Sequence, residues 1–296
     1  MAIPNTLADL TYAVAVELKT VREGVITTGA SQTVFTDTLR TEGPDYWNGG
    51  PFWLLYQSPG TAPTGEWSVV TDFANGQATI TPGTTVNMAA GARYAMGRRR
   101  YPQDILIQAV NEAYRDLGMI PASDEASLVT AEDTTQYTIP ADAVVDLREV
   151  WLETDPDTPA SHGWVKLDKG YWRQELGTLY IPQLPTDDAY AIKVVYVGQA
   201  PTLVDYDDTL SPYVHPKRIV YKAAANCLLW RAERVSSTSI ANAINQRVNF
   251  LLDMDQKAKY EHPIIAPPKA NKILMVQFTG GPDMELNTKP GIVNLS

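Results

Sequence analysis

Apolar residues recur at three- and four-residue steps at Leu7, Leu10, Val14, Leu18 and Val21, which predicts an amphipathic helix. Asn5 or Thr6 would cap it and Gly24 would stop it. From Val25 to Met96 the period changes. Short apolar runs (Thr33 to Phe35, Phe52 to Tyr56, Trp67 to Val70, Ala78 to Ile80) alternate with Pro59-Gly60, Asn75-Gly76 and Pro82-Gly83. That spacing predicts a small antiparallel barrel or sandwich, with Asn75-Gly76 as a two-residue hairpin turn. Pro102 opens a second helix whose stripe runs Ile105, Leu106, Ala109, Val110, Ala113, Tyr114 and Leu117, with Gly118 after it. A second β unit follows, its strands expected at 136–139, 144–152, 164–167, 179–181 and 191–197. Two more helices are predicted. One starts near Ser211-Pro212 and carries Ile219, Val220, Ala223, Ala224, Cys227, Leu228 and Trp230. The other starts near Ser237 or Ser239 and carries Ile240, Ile244, Val248, Leu251, Leu252 and Ala258. After His262-Pro263 no period remains.

Each helix must bury its stripe, and the helices are too scattered along the chain to be separate domains. The economical solution is an α+β fold: an amphipathic helical bundle with two inserted antiparallel β units, each a small barrel or sandwich, and an extended C-terminal tail. The bundle takes residues 1–24, 98–118 and 211–262, the β units 25–97 and 119–210, and the tail 263–296.

Composition narrows the function. Lys and Arg total 24 against 34 Asp and Glu, a net charge of −10 over 296 residues, which argues against a sequence-reading nucleic-acid binder. The charge is also segregated. Residues 119–210 hold 5 basic and 17 acidic side chains, a net of −12, whereas residues 211–262 hold 8 basic and 4 acidic, a net of +4. With one cysteine, Cys227, no intrachain disulfide can form. No run reaches the roughly 18 apolar residues of a membrane span, and the N-terminus lacks the charged start and apolar run of a signal peptide. A soluble protein of a reducing compartment is expected.

Catalytic constellations are missing. His162, His215 and His262 are not spaced as metal ligands, and Cys227 sits among Ala225, Leu228 and Leu229 as a small core residue. No nucleophile elbow or phosphate-cradling glycine loop occurs. Asp205, Asp207 and Asp208 suggest a cation loop, but Leu210 and Pro216 stand where calcium loops need Gly and Glu. An acidic turn ahead of a helix is the simpler reading. The only basic run, Arg98-Arg99-Arg100, leaves four readings open: contact with phosphate, with a partner's acidic face, with a neighbouring subunit's acidic unit, or a solvated hinge. Trp47, Phe52, Trp53, Tyr56 and Trp67 are dense enough for a sugar platform, although aromatics in a small β unit more often form its core.

The order of elements resembles the head-to-tail adaptor (connector) proteins of tailed bacteriophages. The resemblance lies in Phe35-Thr36-Asp37 with Gly65-Glu66-Trp67 and Ile80-Thr81-Pro82, and in the helix Leu106 to Gly118. It continues from Tyr137-Thr138-Ile139-Pro140 through Leu147 to Trp151, Leu179-Tyr180-Ile181 and Val194-Val195-Tyr196 to Asp207-Asp208 and Ala223-Ala224-Ala225. It implies a non-enzymatic structural protein at the virion neck, without cofactor or metal. Copies would form a ring, commonly of twelve, between the portal protein and the tail or nozzle proteins. Genomic DNA would pass through its lumen without sequence-specific binding, and no membrane is involved. An acidic lumen would keep DNA from sticking, which makes Asp205, Asp207 and Asp208 candidates to face the channel. The tail is apolar at Ile264, Ile265, Ile273, Leu274, Met275, Val276 and Phe278, and it would dock on the portal or a neighbouring subunit, in part by adding an edge strand. Two rival readings remain: a carbohydrate-binding or fibre-like attachment protein, and a hydrolase built from scattered carboxylates.

Overall fold

The chain opens, as its apolar stripe predicts, with helix α1 (Leu7–Glu17), which buries Leu7, Leu10 and Val14. The Thr6 hydroxyl accepts from the Asp9 amide at 3.1 Å and caps it. The helix stops before Gly24: Lys19 has a φ of 54°, and Val21, expected on the helix, already belongs to a strand. The computed structural model describes residues 5–29, 31–56, 65–125, 127–131, 134–144, 146–153, 163–181 and 190–268.

The first sheet holds β1 (Val21–Val25), β2 (Thr28–Gly29), β3 (Val34–Thr36), β4 (Pro51–Tyr56), β5 (Trp67–Ala74), β6 (Gln77–Thr81) and β7 (Arg93–Gly97). Their order across the sheet is β1-β7-β4-β5-β6-β3-β2, all antiparallel. Asn75 and Gly76 join β5 to β6 with φ of 51° and 78°, the two positive values that a primed hairpin turn requires. A Cβ on Gly76 would lie 2.5 Å from the Asp37 carbonyl oxygen, so only glycine fits. Phe35, Trp47, Phe52, Phe73, Tyr94 and Met96 fill this sheet's core. The buried Asp37 is satisfied there: the Tyr94 hydroxyl donates to its Oδ2 at 2.8 Å, and Arg40 Nε donates to that hydroxyl at 2.9 Å.

Helix α2 (Gln103–Arg115) follows and ends before Gly118, whose φ is 73°. The next stretch builds β8 (Met119–Asp124), β9 (Gln136–Thr138), β10 (Leu147–Glu153), β11 (Trp164–Lys166), β12 (Arg173–Glu175), β13 (Thr178–Tyr180) and β14 (Ile192–Gln199). They form two sheets, β11-β10-β14-β8 and β12-β13-β9, over a shared core that includes Tyr137, Val150, Trp172, Leu179 and Ile192. Helices α3 (Lys217–Ala232) and α4 (Thr238–Glu261) close the chain's described elements.

The expectation of a helical bundle carrying two small barrel or sandwich insertions is corrected by this architecture. Among the described residues the protein is mostly β: three antiparallel sheets of seven, four and three strands, with four helices, and every sheet is open. The sequence pattern underestimated strand because β1, β7 and β8 owe their state to pairing with segments about seventy residues or more away, β1 with β7 and β8 with β14, which a local pattern does not display. It also favoured closure, although β1 and β2 remain as edges of the first sheet. The four helices share one core with Trp53 and Ala95 from the first sheet and with Ile120, Ala200 and Leu203. The Trp53 indole donates to Thr11 Oγ1 of α1 at 3.1 Å and ties sheet to helix. Of the predicted extended tail only 263–268 lie among the described residues, without regular structure.

Candidate functional site

Helix α1 has a differently charged group at each end. At its start, the Leu7 amide donates to the Asp208 carbonyl at 2.8 Å and the Ala8 amide to the Tyr206 carbonyl at 3.0 Å, so the loop after β14 supplies acceptors for amides that a helix leaves free. That loop is held from below by Asn111 of α2. Its side-chain amide donates to the Leu203 carbonyl and its Oδ1 accepts from the Leu203 amide, both at 2.8 Å. Asp208 is partly buried, and its carboxylate accepts from the Val204 and Asp205 amides at 2.5 and 2.9 Å, closing its own turn. Asp205 and Asp207 are exposed, with no ion pair among the described residues. Of the three aspartates, one therefore shapes the loop and two point charge outward.

Beyond the other end of α1, the Arg98 amide donates to the Thr20 carbonyl at 3.3 Å. The Arg98 guanidinium lies 4.7 Å from the centre of the Tyr46 ring and donates to the Tyr46 hydroxyl. Arg99 and Arg100 are exposed. Next to them, Arg231 of α3 reaches the hydroxyl of buried Tyr101 at 3.5 Å. Burial raises the Tyr101 hydroxyl pKa, and the Arg231 hydrogen bond and charge, then Arg100, oppose the shift. Several other arginines are paired: Arg22 with Glu42 at 3.3 Å, Arg93 with Glu23 at 2.7 Å and Arg148 with Asp146 at 2.5 Å. Among the described residues Arg98, Arg99, Arg100 and Arg231 have no carboxylate within salt-bridge distance.

The start of the tail is attached on two sides. His262, after α4, stacks on His215 at 3.7 Å with the rings 4° from parallel, and His215 Nδ1 accepts from the Lys217 amide at 3.3 Å. Burial, then the His262 and Lys217 charges, lower the His215 pKa. Ile264 packs on the helical core, Ile265 is exposed, and Arg148 Nη1 donates to the Pro267 carbonyl at 3.2 Å. Ile273, Leu274, Met275, Val276 and Phe278 lie outside the described residues, as does His162.

Trp47, Phe52 and Trp53 are buried core residues rather than a stacking platform, which removes the basis for the sugar-binding reading; Trp67 is half-buried and Tyr56 exposed. Cys227 is buried and its thiol is pushed up to about 12, chiefly by burial, so it stays protonated at neutral pH. Among the described residues no three His, Cys, Asp or Glu side chains are placed to hold a metal. A groove of about 450 Å³, unforeseen in the sequence, is lined by Tyr171, Trp172, Arg173 and Tyr180. Lys169 covers the Trp172 ring and Arg173 the Tyr180 ring, so cations already occupy those faces. The roles of Asn111, Tyr101 and Arg231 were also missed, because each depends on a contact more than ninety residues away in sequence.

Among the described residues the distinctive groups are thus outward charges at the two ends of α1 and a tail root, residues 263–268, attached to the body. The chain belongs to the SU10 adaptor protein family, whose model matches residues 84–265, from ahead of β7 through α4 and the start of the tail. It is a bacteriophage adaptor, a structural component of the virion that meets other head and tail proteins. No curated protein matches the chain. No described helix is long and apolar enough to cross a membrane.

Proposed function

We propose that copies of this chain form a ring at the neck of the virion, commonly of twelve, joining the portal to the tail and continuing the DNA channel. The observation that carries the reading is the family match over residues 84–265. The charge distribution supports it, since a conduit needs a surface that repels DNA and residues 119–210 carry a net of −12. Two places in such a ring are open to Asp205 and Asp207: the lumen, where their charge would repel the duplex, and the contact between copies.

The tail supplies the anchor. Its apolar residues Ile273, Leu274, Met275, Val276 and Phe278 suit an edge strand added to a sheet of the portal or of a neighbouring adaptor. Ile264 and Pro267 fix its root to the body of the subunit, so the tail sets out from a defined place. Truncation after Pro268 keeps those root contacts. The shortened chain should stay folded by circular dichroism yet fail to bind portal-bearing heads in a sedimentation assay. Unchanged attachment would move the anchor onto the body of the subunit.

A further inference from the structure

We propose that Arg98, Arg99 and Arg100 with Arg231 form one half of a head-to-tail contact between copies, and that Asp205 and Asp207 of the next copy form the other half. The inference rests on the ring reading and deepens it. The two groups lie at opposite ends of α1, whose 11 residues span about 16 Å. Acids at the start of a helix and cations past its end both suit its dipole, but that effect fades within the first and last turn. Beyond the dipole, Asp207 and Arg99 have no ion-pair partner among the described residues. In a chain with more acids than bases, an unpaired arginine cluster is unusual. A complement is the exposed pair Asp205 and Asp207 on the same molecule, which have no ion pair among the described residues and lie out of reach at the far end of the helix.

A second copy brings them together. Identical subunits that each present two different complementary patches associate head to tail, and when the rotation closes the product is a ring. Apolar surface accompanies the charge on both halves: Val204 is 66% exposed beside Asp205, and the exposed Tyr46 lies under Arg98. Tyrosine and arginine are the side chains that most often dominate such contacts. DNA is the less suitable occupant of the arginine patch, because the whole chain carries −10 and the four arginines make a spot rather than a stripe along a backbone.

The test is a charge exchange in infected cells that make no wild-type adaptor, scored as the fraction of heads that acquire tails. Arg99→Glu with Arg100→Glu in one chain, and Asp205→Lys with Asp207→Lys in another, should each lower that fraction by roughly tenfold or more, since like charges then face each other. Supplying both chains together should restore joining, because every contact in an alternating ring is again between opposite charges. Recovery on mixing also excludes misfolding as the cause of either defect. Normal joining by either variant alone, or failure of the mixture, would overturn the contact. So would an Asp205→Asn, Asp207→Asn chain that joins normally but releases DNA slowly, which would place those residues on the lumen. Wild-type particles without a ring at the neck would instead overturn the reading on which the contact rests.

Discussion

At the scale of single residues, His215, stacked on His262, makes the root of the tail sensitive to pH. His215 has a lowered pKa, because its partly buried position and the neighbouring His262 and Lys217 disfavour the cation. The unfolded chain therefore binds a proton at a pH where the folded chain does not. His215 contributes stability that is present above the ordinary histidine value of about 6.5 and is lost as pH falls through the lowered folded value. The melting temperature should decline between about pH 7 and pH 5, and His215→Gln should flatten the decline. An identical slope in the variant would show that other groups carry it. His262 follows the last residue of α4 and His215 lies just ahead of the cap of α3, and nothing in the sequence indicated that they would touch. Residue-level chemistry was legible where it is local, as with Thr6 capping α1 or Cys227 in an apolar run, and illegible where two distant segments must meet.

Among the elements, the loop from β14 to α3 does the most with the least regular structure. Asn111 grips both backbone groups of Leu203, and the loop's own carbonyls then satisfy the first amides of α1. Asn111→Leu would leave a buried donor and a buried acceptor unmet, a loss of about 1–3 kcal/mol each before relaxation. Urea unfolding should register most of that loss, whereas Gln108→Ala on the exposed face of α2 should stay within about 0.5 kcal/mol. Equal effects would mean that the loop is held by other means. The helices were the most legible elements, since α2 and α3 follow their stripes, α4 follows its own from Ile244 on although Ile240 is exposed, and Gly118 ends its turn as expected. In the first sheet β3 to β6 were legible, with Asn75-Gly76 naming its own turn, whereas β1, β2 and β7 were not. After α2 the strands β9, β10, β11, β13 and β14 were also legible, whereas β8 and β12 were not.

For the whole molecule, the sequence pattern pointed to helices as the frame and sheets as the additions, and the structure reverses the weight. Fourteen strands in three open sheets stand beside four helices, which share one core with the first sheet and with β8, while the third sheet packs with the second in a core of their own. What the pattern could not supply is pairing: β1 lies beside β7, more than seventy residues on, and only the folded chain brings them together. Trp53 is the point at which sheet and helices become one body, buried among helical residues and bonded to Thr11. Trp53→Ala should cost about 3–5 kcal/mol, and calorimetry should show the wild type melting in one transition. A wild type with two separated transitions would mean that the first sheet is merely tethered.

The neighbouring positions of Val21 and Gly97 have an evolutionary consequence. Everything between them leaves and returns within one strand spacing of about 5 Å, so the rest of the chain follows the same path whatever is threaded through that gap. A genome could acquire, discard or trade this stretch in a single recombination event without re-routing the remainder. The family match begins only at residue 84, so most of the stretch falls outside it. Any transplanted replacement faces one demand: it must return an indole, or something of equal bulk, to the place where Trp53 now meets α1.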